Sequence, residues 1–180
     1  GDKKAAIEML GEAKFRLVDA MVEEQNISFL AIGRPESAGC YCKVNAYLKE
    51  IISSIADNYD YVVIDGEAGI EQVNRRVMEE VTNLVLVSDA SKKGLGVVRT
   101  IQMVAEELTM ADNIGLIINR IPSAVDPGEI DTEGLKVLAM IGDDPGMAMA
   151  DMRGDSAFSA EKGAPVVNGM RRALEEMGIL

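Results

Sequence analysis

Short apolar runs rich in β-branched residues recur along the chain, with helix-period segments between them. They stand at 27–33 (ISFLAIG), 59–65 (YDYVVID), 83–89 (NLVLVSD), 113–119 (NIGLIIN) and 135–141 (LKVLAMI). Each is apolar at successive positions rather than alternate ones, so a strand made from it has two faces to bury. Helical spacing joins Ile7, Leu10, Leu17, Val18 and Met21 within 3–22, and then Val44, Tyr47, Leu48, Ile51, Ile52 and Ile55. It returns in Val97, Val98, Ile101, Val104, Ala105 and Leu108, and in Val166, Val167, Met170, Leu174 and Met177. Strands buried on both faces and separated by helices predict an α/β fold: a doubly wound, mostly parallel sheet with helices on both sides. With 180 residues, 48% of them apolar, one domain over 1–180 is expected.

Charge narrows the partners. Thirty acidic against 18 basic residues leave a net −12, which opposes binding along a nucleic-acid backbone. No apolar run approaches the roughly 18–20 residues of a membrane span, and no secretory signal opens the chain, so a cytoplasmic protein with no membrane role is expected. The chain contains no histidine, which removes the usual general base and the commonest metal ligand. Its two cysteines, Cys40 and Cys42, are separated by one residue. In a chain with no secretory signal, such a pair reads as a metal or redox site before it reads as a disulfide.

In an open parallel sheet, ligands bind beyond the carboxyl ends of the strands. The polar residues expected there are Arg34, Asp65, Asp89, Asn119 with Arg120, and Asp143 with Asp144. Asp65-Gly66-Glu67-Ala68-Gly69 follows an apolar run as a Walker-B and switch-II pattern does. There a carboxylate can hold Mg²⁺ directly or through water, and glycine lets the backbone approach a γ-phosphate. Asn119 offers a donor and an acceptor that suit a purine edge, or it serves a turn. Acids such as Asp89 can instead cap the helix that follows. Two thiolates at Cys40 and Cys42 fill two corners of a tetrahedral site and cannot complete it. Carboxylates, water or the same pair from a second chain would have to supply the rest. A two-fold axis through the pair would gather four sulfurs, suited to Zn²⁺, Ni²⁺ or an iron–sulfur cluster.

Taken together, Gly33-Arg34-Pro35-Glu36, Gly39-Cys40-Tyr41-Cys42, Asn45, Leu48, the run YDYVVIDGEAGIE, Arg75, and Val87-Ser88-Asp89 with Gly94 give the chain a family resemblance. It resembles the nickel-insertion accessory ATPases of carbon monoxide dehydrogenase, within the deviant P-loop ATPases that include the nitrogenase iron protein and the septum-placing ATPase. The likeness runs from about Phe29 to the C-terminal helix. It implies an ATP- and Mg²⁺-dependent homodimer that binds Ni²⁺, or Zn²⁺ in its place, at the subunit interface and delivers it to carbon monoxide dehydrogenase.

By that resemblance Cys40 and Cys42 are metal ligands, Asp65 the Mg²⁺-associated acid and Gly69 the γ-phosphate sensor. Asn119, with Arg120, reads the adenine, and Asp144 adds a further base contact. The sequence departs from the family in three places. No GxxxxGK[ST] phosphate loop occurs anywhere in the 180 residues. The chain is therefore expected to be the C-terminal part of a longer nucleotide-binding domain, lacking the P-loop strand and helix, and inactive as an ATPase by itself. Gln72 stands where histidine is common, and Gly142 where proline is common. Two further readings of the same fold are a partitioning or positioning ATPase and an electron-transfer ATPase carrying a cluster. The last helix, with Arg171 and Arg172 beside Glu175 and Glu176, suits neither a DNA surface nor a membrane.

Overall fold

A computed structural model describes residues 19, 21–31, 52–66, 81–108 and 111–180. The chain's contacts gather into two units, Gly1–Ile64 and Asp65–Leu180.

In the first unit, β1 (Val22–Glu24) and β2 (Ile27–Phe29) form an antiparallel hairpin. Its two-residue turn places Gln25 at φ 55, the positive-φ geometry that short hairpin turns demand. Residues 52–56 are helical, and the amides of Asn58 and Tyr59 close the end by donating to the carbonyls of Ile55 and Ala56. The rest of the expected helix over 44–55 lies outside the described residues, as does nearly all of 3–22, whose last residue, Val22, is strand.

Two of the five expected strands take other forms. Residues 27–29 pair with β1 rather than joining a parallel sheet, because an antiparallel partner three to seven residues away closes with little entropy loss. Residues 59–66 carry no regular structure. An extended segment becomes a strand only when its backbone groups find a ladder partner, and among the described residues 59–65 has none.

In the second unit, β3 (Val81–Ser88), β4 (Ala111–Ile121) and β5 (Val137–Gly142) form a parallel sheet in the order β3-β4-β5. These match the runs expected at 83–89, 113–119 and 135–141. Helix α1 (Lys92–Glu107) connects β3 to β4. Helices α2 (Pro145–Arg153) and α3 (Pro165–Glu176) follow β5.

Each face of the sheet carries a core cluster, although Val87 of β3 remains 62% exposed. Leu86, Leu116, Ile118 and Ile121 pack with Leu95 and Val98 of α1 on one face. Ile117, Leu138, Ala139 and Ile141 pack with Ala173 of α3 on the other. The alternation of Leu116, Ile117 and Ile118 between the two clusters is the period-2 signature of a strand with no solvent face. The fold is thus α/β, with helices on both sides of a parallel sheet.

Two glycines permit this packing. A Cβ on Gly115 would stand 2.5 Å from Leu138 Cγ, and one on Gly169 would overlap the Ile141 side chain. Arg99 of α1 ties the 122–136 connection to its own face. Its guanidinium donates to the carbonyls of Asp131 and Glu133 and pairs with the Asp131 carboxylate at 3.2 Å. No helix among the described residues is long and apolar enough to cross a membrane.

Candidate functional site

Because the three strands are parallel, their carboxyl ends share one edge. That edge carries Ser88 and Asp89 after β3, Asn119 and Arg120 at the end of β4, and Asp143 and Asp144 after β5. This is the edge at which open α/β sheets bind ligands.

At β4 the ladder breaks. Ile118 pairs with Met140 and the next registered pair is Ile121 with Gly142, so two residues, Asn119 and Arg120, oppose the single Ile141. This is a β-bulge, a device that re-aims side chains and is common beside active sites. Arg120 takes φ 56, and the Asn119 Oδ1 accepts the Arg120 N–H at 2.9 Å. A non-glycine residue at positive φ stores strain that its surroundings must hold in place. The turn alternative for Asn119 is thereby refined. Arg120 is the left-handed residue, and Asn119 braces it. The Asn119 side chain is half-buried and Arg120 is exposed. A carbonyl oxygen with a second lone pair and an NH₂ with two donors can still meet the edge of a purine.

After β5 the chain turns at once into α2. The Asp143 N–H donates to the Ile121 carbonyl at 3.0 Å, which binds this turn to the end of β4 beyond the bulge. Asp144 is the N-cap of α2. Its Oδ1 accepts the Met147 N–H at 3.0 Å, and its Oδ2 accepts the Val166 N–H of α3 at 3.4 Å. Both oxygens of this acid, which the family resemblance assigns to the base, already serve backbone amides. Asp143 is exposed.

Asp89 does not cap α1 itself but holds Ser91, the residue that does. Its Oδ1 accepts from the Ser91 hydroxyl at 2.6 Å and from the Ser91 N–H at 3.0 Å, while the Ser91 hydroxyl accepts the Gly94 N–H and caps α1. Those bonds, led by the hydroxyl, hold the Asp89 carboxyl below its ordinary value. Gly94 is required here, since a Cβ would stand 2.5 Å from both Asp89 Oδ1 and Ser88 Oγ.

Of the remaining expected site residues, only Asp65 is among those described. Asp65 is exposed on a segment without regular structure. Cys40, Cys42 and Gly69 lie outside the described residues. Among the described residues, no three acids or thiols come close enough to hold one metal ion. The described edge thus brings together an amide at a strand end, a strained turn and a capped helix, groups that can meet the edge of a purine. Sequence reasoning missed α2 and the double role of Asp144, although Asp144-Pro145 followed by Gly154 carries the usual cap signals.

No model of a known protein family matches the chain. It is 37% identical over 118 residues to an uncharacterized ATP-binding protein of Methanocaldococcus jannaschii, covering 65% of this chain and 47% of that protein. It is 30% identical over 142 residues to the carbon monoxide dehydrogenase accessory protein CooC of Rhodospirillum rubrum, covering 76% of this chain and 54% of that protein. The chain thus spans about half the length of these relatives. Among solved structures, apo McdA of Cyanthece superposes with a TM-score of 0.54 at 18% identity, over 76% of this chain and 62% of that one. The fold and the relatives agree on an α/β protein related to ATP-binding proteins.

Proposed function

We propose that this chain belongs to an ATP-dependent metallochaperone that carries nickel, or zinc in its place, and delivers it to carbon monoxide dehydrogenase. The observation that carries the reading is the 30% identity over 142 residues to the accessory protein of that enzyme, in a chain with the Cys40-x-Cys42 pair. The metal is cargo. Cys40 and Cys42 supply two thiolates, and a homodimer supplies two more, closing a four-sulfur site that the chain cannot close with histidine.

ATP and Mg²⁺ drive the cycle. Asn119 and Arg120 meet the base at the β4 bulge, and Asp65 faces the Mg²⁺. Gly69, by the family resemblance, lets the backbone sense the γ-phosphate. Bound Mg²⁺ would neutralise the charge that develops on the transferred phosphoryl group. Metal, nucleotide and dimer are coupled because each favours the same closed state.

The test is anaerobic metal analysis with a visible spectrum on the parent chain and on Cys40→Ser/Cys42→Ser. About one nickel or zinc per dimer, lost in the double variant, is expected, since serine oxygen is a poor ligand for borderline-soft ions. Stoichiometric metal retained by the double variant would overturn the thiolate site. A brown chromophore would instead indicate a cluster. For the nucleotide, the 180 residues contain no GxxxxGK[ST] loop. Calorimetry should therefore find at most weak ATP affinity, and phosphate release should find no turnover, because several charge-assisted phosphate bonds of roughly 1.5–3 kcal/mol each are missing. Micromolar affinity with turnover would place the phosphate site elsewhere in the chain.

A further inference from the structure

We infer that Asp144 is a positioning residue whose single carboxylate caps two helices at once, joining the start of α3 to the start of α2 and thereby fixing the turn that follows β5. Helix α3 begins at Pro165 behind Ala164, which offers no side-chain acceptor to the free amides of the first turn. Those amides would otherwise go unsatisfied or turn to water. The Val166 N–H instead points to Asp144 Oδ2, 22 residues earlier in the chain, while Oδ1 of the same carboxylate takes Met147 N–H of α2. One negative charge therefore lies at the positive ends of two helix dipoles.

Both helices open with proline, which gives up an amide that the first turn leaves unpaired in any case and presets φ for the helix. The geometry also explains why this acid is aspartate. A serine or asparagine offers one acceptor oxygen at that reach, enough for α2 and not for α3. The turn is braced from the other side by Asp143 N–H on the Ile121 carbonyl, just past the bulge. Asp144 consequently sets how the segment from Gly142 to α3 stands against the strand end that carries Asn119 and Arg120. The neighbouring acid, Asp143, is the one that the turn leaves exposed. This assignment rests on the described geometry and not on the nucleotide reading.

Amide hydrogen exchange by NMR on the full chain, without nucleotide or metal, tests it. In Asp144→Ala, both Met147 and Val166 should lose protection, by roughly fivefold to tenfold at Met147 and less at the longer Val166 bond. In Asp144→Ser, Met147 should keep its protection and Val166 alone should lose it. That split is what a generally weakened fold would not produce. Asp143→Ala should leave both amides as they are. Val166 protection unchanged in both Asp144 variants would overturn the inference, as would its equal loss in Asp143→Ala. Because the readout contains no nucleotide, failure of the ATP reading leaves it standing, and its own failure leaves the ATP reading untouched.

Discussion

Residues 59–65 (YDYVVID) and 83–89 (NLVLVSD) are both short, largely apolar runs containing β-branched residues, and each ends in an aspartate. The structure treats them differently. Residues 83–88 lie in β3, laddered to β4, with Leu86 buried against α1. Tyr61, Val62, Val63 and Ile64 are exposed, Val63 at 93%, and no described strand pairs with them. β-Branched composition says that a segment fits a pleated, buried surface, and a neighbouring strand is what provides one. The two aspartates share that contrast. Asp89 is held by the amide and the hydroxyl of Ser91, whereas Asp65 ends a segment that no described strand ladders.

The largest effect that could break this contrast lies in the sheet. Ile118→Ala, at a fully buried position, should cost about 2–5 kcal/mol in a denaturant titration. Val63→Ala should stay within about 0.5 kcal/mol, as exposed sites do. Equal costs would mean that residues 59–65 have a buried partner after all. Gly115→Ala comes next, at about 1–3 kcal/mol, because the new methyl meets Leu138 inside the sheet's second core cluster.

A smaller effect, of opposite sign, sharpens the description of the bulge. Arg120→Gly should stabilise by up to about 1 kcal/mol by relieving positive φ, while weakening whatever ligand the strained turn has been shaped to meet. A destabilised variant would show that the Arg120 side chain contributes more than its backbone costs.

The smallest effect concerns pH. A carboxylate held below its ordinary 3.8 stabilises the fold above that value, and the contribution fades as pH falls beneath it. Protection of the Gly94 amide should therefore decline in acid in the parent chain, and the decline should vanish in Asp89→Asn. An unchanged acid profile in that variant would assign the effect to another group.

How legible the molecule was follows from what each residue buries. The runs at 113–119 and 135–141 announced β4 and β5 because consecutive residues of each are buried, and the run at 83–89 announced β3 although Leu86 is its one buried residue. Val97 to Leu108 and Val166 to Met177 announced α1 and α3, whose inner stripes carry Leu95, Val98 and Ala173. Helix α2 left no stripe to read, since none of its residues is buried. Residues 59–65 misled for the converse reason, being apolar without a ladder. At the ligand edge, Asn119 and Arg120 stood out by their place at a strand end. What they do there depends on a register that spacing does not reveal. The second bond of Asp144 was invisible for the same reason, since it joins residues 22 apart through a contact that only the packed helices create.

The extra residue in β4 also changes the arithmetic of the strand. Leu116, Ile118 and Ile121 all face the α1 cluster, although the last step is three residues where an unbroken strand would step by two. Asn119 and Arg120 thus act as a phase shift, returning Ile121 to the side its parity would deny it. Deleting either residue would remove the bulge and leave Ile121 on the α1 side by ordinary two-residue alternation, whereas inserting one more would send it to the opposite side. What such a deletion would lose is the bulge itself, and with it the positive-φ turn at Arg120 that Asn119 braces.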